Sequence, residues 1–492
     1  DFTGSFEVES GWWRDGGERW RGRLVRLRFD GPDASVALWP EGDGQRVVVG
    51  VSSKGPVNQV VGLSDLSQVP TLLGTGPLAR AVADQLAYGG GQVYAVRAAG
   101  DIAGSVTAGT ENPASPAVSV SGSPLDAYEI VVRIVRGGAV GTATFTYSLD
   151  GGDTVSAEIV TAASYDLPGT GLTLNFGTGT YTAGAVYRFQ ATAPRASVSS
   201  VQAAVREALN APILYEYIQV AQPTDAAMWA ALDALATEAE GRFRYIWFLT
   251  ETAAPGNDVD AWVNARLAEK ANFTSKRVMI VAAWGEVVDT LSGRLEVQSL
   301  AARVGARISK NRVHVSPAWV QLGPLPGVVA VAPFVLTDYG KKSLFNNAHA
   351  LALDTAGFTT VYRLIGRDGV YLVDGRMAAP PTSDYLIVQN RRVMDKAVTQ
   401  VRQALLDFVQ WHVDPTDLNA SLASLIARAN TPLRVMQSLG EIARGRVVVP
   451  PGQDILASRT LLLQVRVVPL GYLREITLDI GFENPFLAQA KA

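Results

Sequence analysis

Apolar runs and helical periodicities alternate along most of this chain. Residues 46–97 contain an apolar strand at 47–51, a Gly-Pro turn at 55–56, a helix that begins at Pro77 and a second apolar strand at 93–96. Proline is favoured at the first position of a helix because its missing N–H has no intrahelical partner there. The pattern predicts a strand–helix–strand unit that opens an α/β core.

The same alternation returns after residue 195. Helical spacing of apolar residues alternates there with strands that are apolar on both faces, as expected for a sheet covered on both sides. We predict helices at 198–209, 224–239, 258–271 and 293–308, and strands at 243–250 and 277–284. This rhythm is typical of a doubly wound, largely parallel sheet, so residues 46–99 and 196–390 are predicted to form one core.

Between these two parts, residues 100–195 have a different composition. The segment is rich in Thr, Ser, Gly, Ala and Val, and short strand candidates recur between turn signals such as Asp-Gly-Gly at 150–152. Closely spaced short strands without helical periodicity predict an inserted all-β, sandwich-like domain. We expect it to lie on the outer surface.

Both ends of the chain are strand-like. Residues 1–45 have too few apolar positions for a core of their own, and residues 391–492 are predicted to contain helices followed by strands at 446–449, 460–468 and 473–480. The helices are expected at 393–411, 418–429 and 432–439. We therefore predict a multidomain protein of α+β and α/β character, with a discontinuous α/β core, an inserted all-β domain and strand-like terminal arms.

Composition narrows the functional classes. The 492 residues are 48% hydrophobic and 18% charged, with a net charge of −3 and no cysteine. Disulfides and thiolate metal sites are thereby excluded. No apolar run reaches the roughly 18 residues of a membrane span, and the arginines at 14–28 alternate with apolar residues rather than forming a basic block. We expect neither membrane insertion nor nucleic-acid binding.

The strongest enzymatic motif is Gly-Thr-Gly-Pro-Leu-Ala at 74–79, which fits the glycine-rich fingerprint of dinucleotide-binding helices. Three features oppose that interpretation. The preceding segment is polar and ends in Pro70, Pro77 removes an amide that a phosphate would use, and no acidic residue ends a second strand about 20 residues later. A nucleotide-binding α/β enzyme therefore stays only as an alternative.

Other candidate chemistry is sparse. The three histidines, His314, His349 and His412, have no metal-ligand spacing to another residue, and Asp150 and Asp153 fit a hairpin turn better than a calcium loop. A Ser-His-Asp catalytic triad can be assembled from residues far apart in sequence, but no local motif here indicates one. We predict that the chain is not an enzyme and has no catalytic residues, cofactor or metal.

Three motifs in a fixed order resemble the core of contractile phage tail sheath proteins. They are GVSSKGPVNQ at 50–59, LGTGPLARAV at 73–82 and LAYGGGQVYAVRA at 86–98. Segments 305–317, 344–369 and 460–480 also resemble that family. The family's short N-terminal Pro-Gly-Val-Tyr segment is replaced here by a Trp-rich arm.

The resemblance implies a structural subunit of a contractile tail. Hexameric rings would stack as a helix around a tail tube, and contraction would drive the tube through the host envelope for genome delivery. The partners implied are further copies of the chain, the tube protein, and baseplate and tail terminator proteins. The protein would belong to the virion after assembly in the bacterial cytoplasm; the sheath of a phage-derived injection particle is the alternative.

The resemblance also implies which residues make contacts. Strand exchange between subunits would use apolar positions of the two arms. They are Phe6, Val8, Ile476, Leu478, Ile480 and Phe482. By the same analogy, Arg434 and Glu441 near the last helices are candidates for facing the tube.

Overall fold

The computed structural model describes residues 5–15, 18–28, 42–338, 340–414 and 417–481. The chain forms two compact units, Asp1–Pro40 and Glu41–Ala492. In the first, strands β1 (Ser5–Asp15) and β2 (Glu18–Arg28) pair as an antiparallel hairpin. The register sets Phe6 opposite Leu27 and Val8 opposite Val25. The apolar run at 36–39, which suits a further strand of this arm, lies outside the described residues.

The second unit begins with the predicted strand–helix–strand unit. Its elements are β3 (Arg46–Gly50), β4 (Val60–Leu63), α1 (Gln68–Leu72), α2 (Pro77–Gly89) and β5 (Val93–Arg97). Every residue of β3 is buried, as its apolar sequence predicts for a strand covered on both faces. Pro77 is the first residue of α2, and Gly90 with positive φ follows its end.

Ten short strands make up the segment between β5 and the next helix. They are β6 (Val106–Ala108), β7 (Val118–Gly122), β8 (Tyr128–Arg136), β9 (Gly138–Ala139), β10 (Thr144–Ser148), β11 (Ile159–Val160), β12 (Ser164–Leu167), β13 (Leu172–Phe176), β14 (Thr180–Tyr181) and β15 (Val186–Ala191). A five-stranded sheet, β11-β10-β8-β15-β6, and a three-stranded sheet, β12-β13-β7, contribute to one apolar cluster. We call this segment, residues 100–195, the insert.

Helix–strand alternation then resumes. The elements are α3 (Val198–Asn210), β16 (Tyr217–Pro223), α4 (Ala226–Gly241), β17 (Trp247–Glu251), α5 (Val259–Lys270) and β18 (Val278–Val281). Side chains of Ser197, Asp225 and Asp258 accept backbone N–H groups at the starts of the three helices. The central sheet has the order β18-β17-β16-β3-β5-β4, with β16 parallel to β3. Strands from either side of the insert are therefore direct neighbours.

The next region departs from prediction at one point. Its elements are β19 (Trp284–Val288), β20 (Leu295–Ser299), α6 (Ala301–Lys310), β21 (Val328–Val331), β22 (Phe334–Thr337), β23 (Gly340–Ser343), α7 (Asn347–Thr355), β24 (Val361–Tyr362) and β25 (Tyr371–Leu372). The helix predicted from residue 293 starts only at Ala301. Residues 295–299 instead pair with β19, because their alternating apolar and polar side chains also suit a strand.

The C-terminal part consists of α8 (Val388–Leu405), α9 (Leu418–Ser438), β26 (Arg444–Val448), α10 (Ile455–Ser458) and β27 (Gln464–Val468). The two helices predicted at 418–429 and 432–439 are one helix that contains Pro432. Ala429 and Leu433 on either side of that proline pack into one apolar cluster, which holds the helix together across it. The strand predicted at 473–480 is absent, and residues 469–481 have no regular structure.

Helix α8 joins the C-terminal part to the core through buried ion pairs. Arg392, which is 1% exposed, donates to both carboxylate oxygens of Glu216, the residue before β16. Asp395, one turn further along α8, accepts from Arg277 at 2.9 Å. Charges buried at such a depth are stable only when paired, so these contacts fix the orientation of α8 on the core.

Candidate functional site

At the glycine-rich start of α2, backbone N–H groups donate hydrogen bonds to other groups of the same chain. The amide of Thr75 donates to Ser53 Oγ at 2.9 Å, and the amide of Leu78 donates to the carbonyl oxygen of Val51 at 3.0 Å. The carboxylate of Asp126, which belongs to the insert, lies near the Gly76 amide, and this proximity opposes the rise in its pKa that burial causes. The amides of Thr75 and Leu78, two donors that could bind a phosphate at a helix N-terminus, are thus used within the chain.

Asp126 is held there by Arg80 of α2. The Arg80 guanidinium contacts the Asp126 carboxylate and lies 3.4 Å from Glu296 Oε2 of β20. Burial raises the pKa of Asp126, and the positive charge of Arg80 opposes that rise. The dinucleotide-like motif therefore serves as a docking point between the insert and the core.

The histidines are not brought together as a catalytic or metal site. His349 Nε2 lies 2.9 Å from Asp260 Oδ1, and its Nδ1 accepts the Asn346 amide in a capping box at the start of α7. Within the described ranges, no group of three or more His, Asp or Glu side chains could hold a metal ion. Asp150 accepts from the hydroxyl of Thr154 at 2.7 Å, as a turn residue does.

The segment after β27 is the most exposed apolar stretch of the described chain. Leu473, Ile476, Leu478 and Ile480 are 89%, 74%, 75% and 87% exposed. We call residues 473–481 the C-terminal arm. Three of the residues predicted for strand exchange, Ile476, Leu478 and Ile480, lie on it, whereas Phe482 lies outside the described residues. Ile476, Leu478 and Ile480 alternate with polar residues, a pattern typical of a strand that lacks its sheet.

The base of the C-terminal arm is attached to the core. The Tyr472 hydroxyl donates to the carbonyl oxygen of His314 at 2.6 Å, and burial raises the pKa of Tyr472 to about 12. The Arg474 guanidinium contacts the fully buried carboxylate of Asp354 and lies 3.9 Å from Asp374 Oδ2. These two contacts determine where the C-terminal arm leaves the core.

Strands β26 and β27 form a two-stranded antiparallel hairpin with two different faces. Val447 is buried, and Val465 and Val467 pack beside it against the apolar cluster of the C-terminal helices. The opposite face carries exposed Arg444, Arg446 and Arg466. We call these three residues the arginine face; Arg446 and Arg466 are directly opposite each other in the register. Sequence reasoning did not single them out, although the alternation of Arg and Val at 444–448 and 464–468 is a visible signal.

One edge of this hairpin is blocked and the other is open. The Val447 amide points away from β27 and donates to Asn430 Oδ1 of α9 at 2.9 Å. No other strand in the described part of the chain pairs with β27. The outward backbone groups of β27 are therefore available to a further strand.

The two residues expected to face a tube have opposite environments. Arg434 is exposed on α9. Glu441 is only 4% exposed, and its Oε1 lies 2.9 Å from Lys396 Nζ, which also lies 2.6 Å from Asp43 Oδ2. In the single chain Glu441 is thus paired with α8 inside the fold, and its contact with a tube stays a prediction.

Two family models match nearly the whole chain. "DUF2586, N-terminal domain" matches residues 36–376, and "DUF2586, C-terminal domain" matches residues 384–487. A curated relative from Haemophilus phage HP1 (strain HP1c1), named "Putative tail sheath protein", is 28% identical over 200 residues, or 38% of this chain and 51% of that protein. The chain therefore spans about half the length of the curated relative it matches.

Solved structures share the fold. The sheath complex of an extracellular contractile injection system, PVC, in its contracted state matches with a TM-score of 0.54 at 10% identity, covering 90% of this chain and 93% of the other. A chain of the anti-feeding prophage baseplate matches with a TM-score of 0.53 at 13% identity, covering 90% and 94%. The resemblance to contractile sheath proteins is confirmed, and these relatives are named for structural assemblies rather than enzymes, as predicted.

Among the described helices, none combines the length and apolar character needed to cross a bilayer.

Proposed function

Because this chain belongs to the DUF2586 family and has a sheath-type fold, we propose that it is the sheath subunit of a contractile phage tail. Copies of the chain assemble as stacked hexameric rings that form a helix around a tail tube. Contraction of that helix drives the tube through the host envelope and delivers the genome. The protein then belongs to the virion, assembled in the host cytoplasm.

The exposed C-terminal arm is the observation that carries this proposal. Exposing four large apolar side chains along one segment opposes the hydrophobic effect, by roughly 1.5–3 kcal/mol for each side chain that could instead be fully buried. Such a segment gains stability when it adds to a sheet of another chain. Ile476, Leu478 and Ile480 are the residues proposed to be buried by strand exchange.

The N-terminal hairpin is proposed to make the second arm contact. Phe6 and Val8 of β1 are the residues proposed for that contact. Head-to-tail contacts of this kind generate helical polymers rather than closed dimers. Arg434 remains a proposed contact to the tube, and baseplate and tail terminator proteins are the proposed partners at the two ends.

Electron microscopy of the purified full chain, alone and with the tube protein, tests the proposal. We expect rings or tubes from the unmodified chain. Removal of residues 477–492 is expected to abolish these assemblies while the shortened chain stays folded, as judged by circular dichroism and cooperative unfolding. Normal tubes from the shortened chain would refute strand exchange by this arm, and a monomer under all conditions would refute the sheath function.

A sheath of a phage-derived injection particle is the second candidate. It is favoured by the fold match to the sheath complex of PVC, an extracellular contractile injection system. Particles purified from the producing bacterium distinguish the two. A filled capsid attached to the sheathed tail supports the phage tail, and a sheathed particle without a capsid or DNA supports the injection particle.

A further inference from the structure

We propose that the junction between the insert and the core is a proton-sensitive joint, in which carboxyl groups that share protons hold the insert on α2 and β20. The joint loosens as those protons are released. This inference concerns how a single subunit changes with pH, and it goes beyond the proposed function without depending on it.

Charged side chains connect the insert to the core at two places. Asp126 of the insert contacts the guanidinium of Arg80 on α2. Asp150 Oδ2 of the insert lies 3.2 Å from Nε of Arg294, the residue before β20. The position of the insert on the core therefore depends on ion pairs, and ion pairs depend on the protonation of their carboxyl groups.

Arg80 belongs to a cluster in which carboxyl groups outnumber guanidinium groups. We call it the junction cluster, and the insert, α2, β17, α6, β20 and the turn before β20 all contribute to it. Its two guanidinium groups and five carboxyl groups belong to Arg80, Arg303, Asp84, Asp126, Glu251, Asp289 and Glu296. If every carboxyl group were ionised, the cluster would carry an excess of negative charge that its own guanidinium groups could not balance.

Several of these carboxyl groups lie close together. Nε2 of Gln298 is 3.0 Å from Asp289 Oδ1 and 3.0 Å from Glu296 Oε2, so these two carboxyl oxygens are no more than about 6 Å apart. Arg80 Nη1 lies 3.4 Å from the same oxygen of Glu296, and Arg80 Nη2 contacts Asp126. One guanidinium thus lies between a carboxyl group of the insert and a carboxyl group of β20.

The second guanidinium of the cluster is occupied elsewhere. Arg303 is completely buried, and its Nε lies 3.1 Å from Asp84 Oδ2. Its positive charge is therefore largely balanced by Asp84. Glu251 faces Arg80 as well, so Arg80 has to balance carboxyl groups from the insert, β17 and β20. A single guanidinium cannot keep all of these groups ionised in a buried site.

The carboxyl groups on both sides of the junction have raised pKa values. Burial raises the pKa of Asp126 from its ordinary 3.8, and the charge of Arg80 only partly opposes this rise. Burial and the nearby charge of Asp289 raise the pKa of Glu296 from 4.5. Asp289 differs, because hydrogen bonds, chiefly from Gln298, outweigh the effect of burial and lower its pKa.

The sign of the pH dependence follows from where these protons are bound. If the insert separates from the core, water reaches Asp126 and Glu296, and their pKa values return towards 3.8 and 4.5. Above these values the docked state therefore binds more protons than the separated state, so docking weakens as pH rises. Glu251, whose pKa burial raises to about 7, adds a further negative charge beside Arg80 as pH rises through that value. Each proton released on separation lowers the docking constant by about tenfold per pH unit.

Two neighbouring groups do not reverse this sign. Tyr128 of the insert faces Asp126, but burial raises the pKa of Tyr128 to about 12, so its hydroxyl stays neutral up to pH 8. Burial also raises the pKa of Asp84, and its partner Arg303 opposes this rise. In both groups burial favours the uncharged form, as it does for the carboxyl groups at the junction.

Single-molecule FRET on the full chain tests the joint at concentrations too low for subunits to assemble. The chain has no cysteine, so Thr178→Cys on the insert and Asn264→Cys on α5, both at exposed positions, place one pair of dyes across the junction. We expect one docked population at pH 5 and a second, separated population at pH 8. The ratio of separated to docked molecules is expected to rise about tenfold or more between the two pH values.

Variants without the titrating groups identify the source of the change. Asp126→Asn with Glu296→Gln keeps both side chains neutral and is expected to give nearly the same ratio at pH 5 and pH 8. Glu111→Gln with Asp166→Asn, at exposed positions of the insert, is the matched control and is expected to follow the wild type. The three histidines of the chain titrate in every variant, so their contribution cancels in the comparison.

Either of two results would overturn the proposal. One is a wild-type ratio of separated to docked molecules that does not change between pH 5 and pH 8. The other is a neutral double variant whose ratio changes as much as that of the wild type, because the protons would then be released elsewhere. Circular dichroism at both pH values checks that the insert and the core stay folded in each variant. Neither result bears on the sheath function, because no step of the experiment requires assembly.

Discussion

Replacing Glu251 with glutamine is expected to change how the stability of the core depends on pH. Glu251 ends β17 and is 8% exposed. Burial raises its pKa from an ordinary 4.5 to about 7, and a hydrogen bond with Ser299 and the charge of Arg80 only partly oppose this rise. The folded chain therefore keeps a proton that the unfolded chain releases.

The sign and size of this pH dependence follow from the linkage between proton binding and folding. Between pH 4.5 and about 7 the folded state binds more protons than the unfolded state, so stability falls as pH rises through this window. Each pKa unit corresponds to about 1.4 kcal/mol, so the folded state loses about 3 kcal/mol by pH 8. Below pH 4.5 the carboxyl group is neutral in both states and contributes no such penalty.

Glu251→Gln keeps the neutral form at every pH. We expect the variant to match the wild type near pH 4.5 and to be more stable by about 3 kcal/mol at pH 8. Urea unfolding followed by tryptophan fluorescence at both pH values measures this difference. Other buried carboxyl groups, such as Asp84 and Asp126, titrate in both proteins and largely cancel in the comparison.

Glu111→Gln, at an exposed position of the insert, is the control. Its unfolding midpoint is expected to follow the wild type at both pH values. A Glu251→Gln variant whose stability differs from the wild type by the same amount at pH 4.5 and pH 8 would refute the reasoning, because only a group that titrates between these values produces a pH-dependent difference.

Two further substitutions probe packing. Arg392→Ala leaves the Glu216 carboxylate buried without its guanidinium and is expected to lower the free energy of unfolding in urea by about 3–5 kcal/mol. The double variant Arg392→Met with Glu216→Gln should recover much of this stability. Failure to recover it would contradict the ion-pair explanation. Gly305→Ala would place a methyl group 2.4 Å from Gln85 Nε2 and 2.8 Å from Leu249 Cδ2 and is expected to cost about 1–3 kcal/mol. Gly241→Ala, where no atom lies within 4 Å, is the matched control, and equal losses for both would refute the packing argument.

Local sequence was sufficient for the elements whose signals are short-range. Strand β3 is predicted by its unbroken apolar run, and α2 by Pro77 at its start and glycines after its end. The sequence pattern at 473–480 likewise predicts a strand, although these residues have no regular structure in the single chain. These signals depend only on which residues are neighbours along the chain, so they can be recognised without knowledge of the fold.

Long-range pairing decided the rest. Residues 295–299 form a strand because they pair with the backbone of β19. A helix at these residues would have left that edge of β19 unpaired. Asp126 of the insert contacts Arg80 of α2 across 46 residues of sequence, and Glu441 pairs with Lys396 inside the fold. Residues 473–480 have the pattern of a strand but no sheet within the described chain. A strand needs hydrogen-bond partners along its edge, and for this segment we infer that only a second subunit provides them.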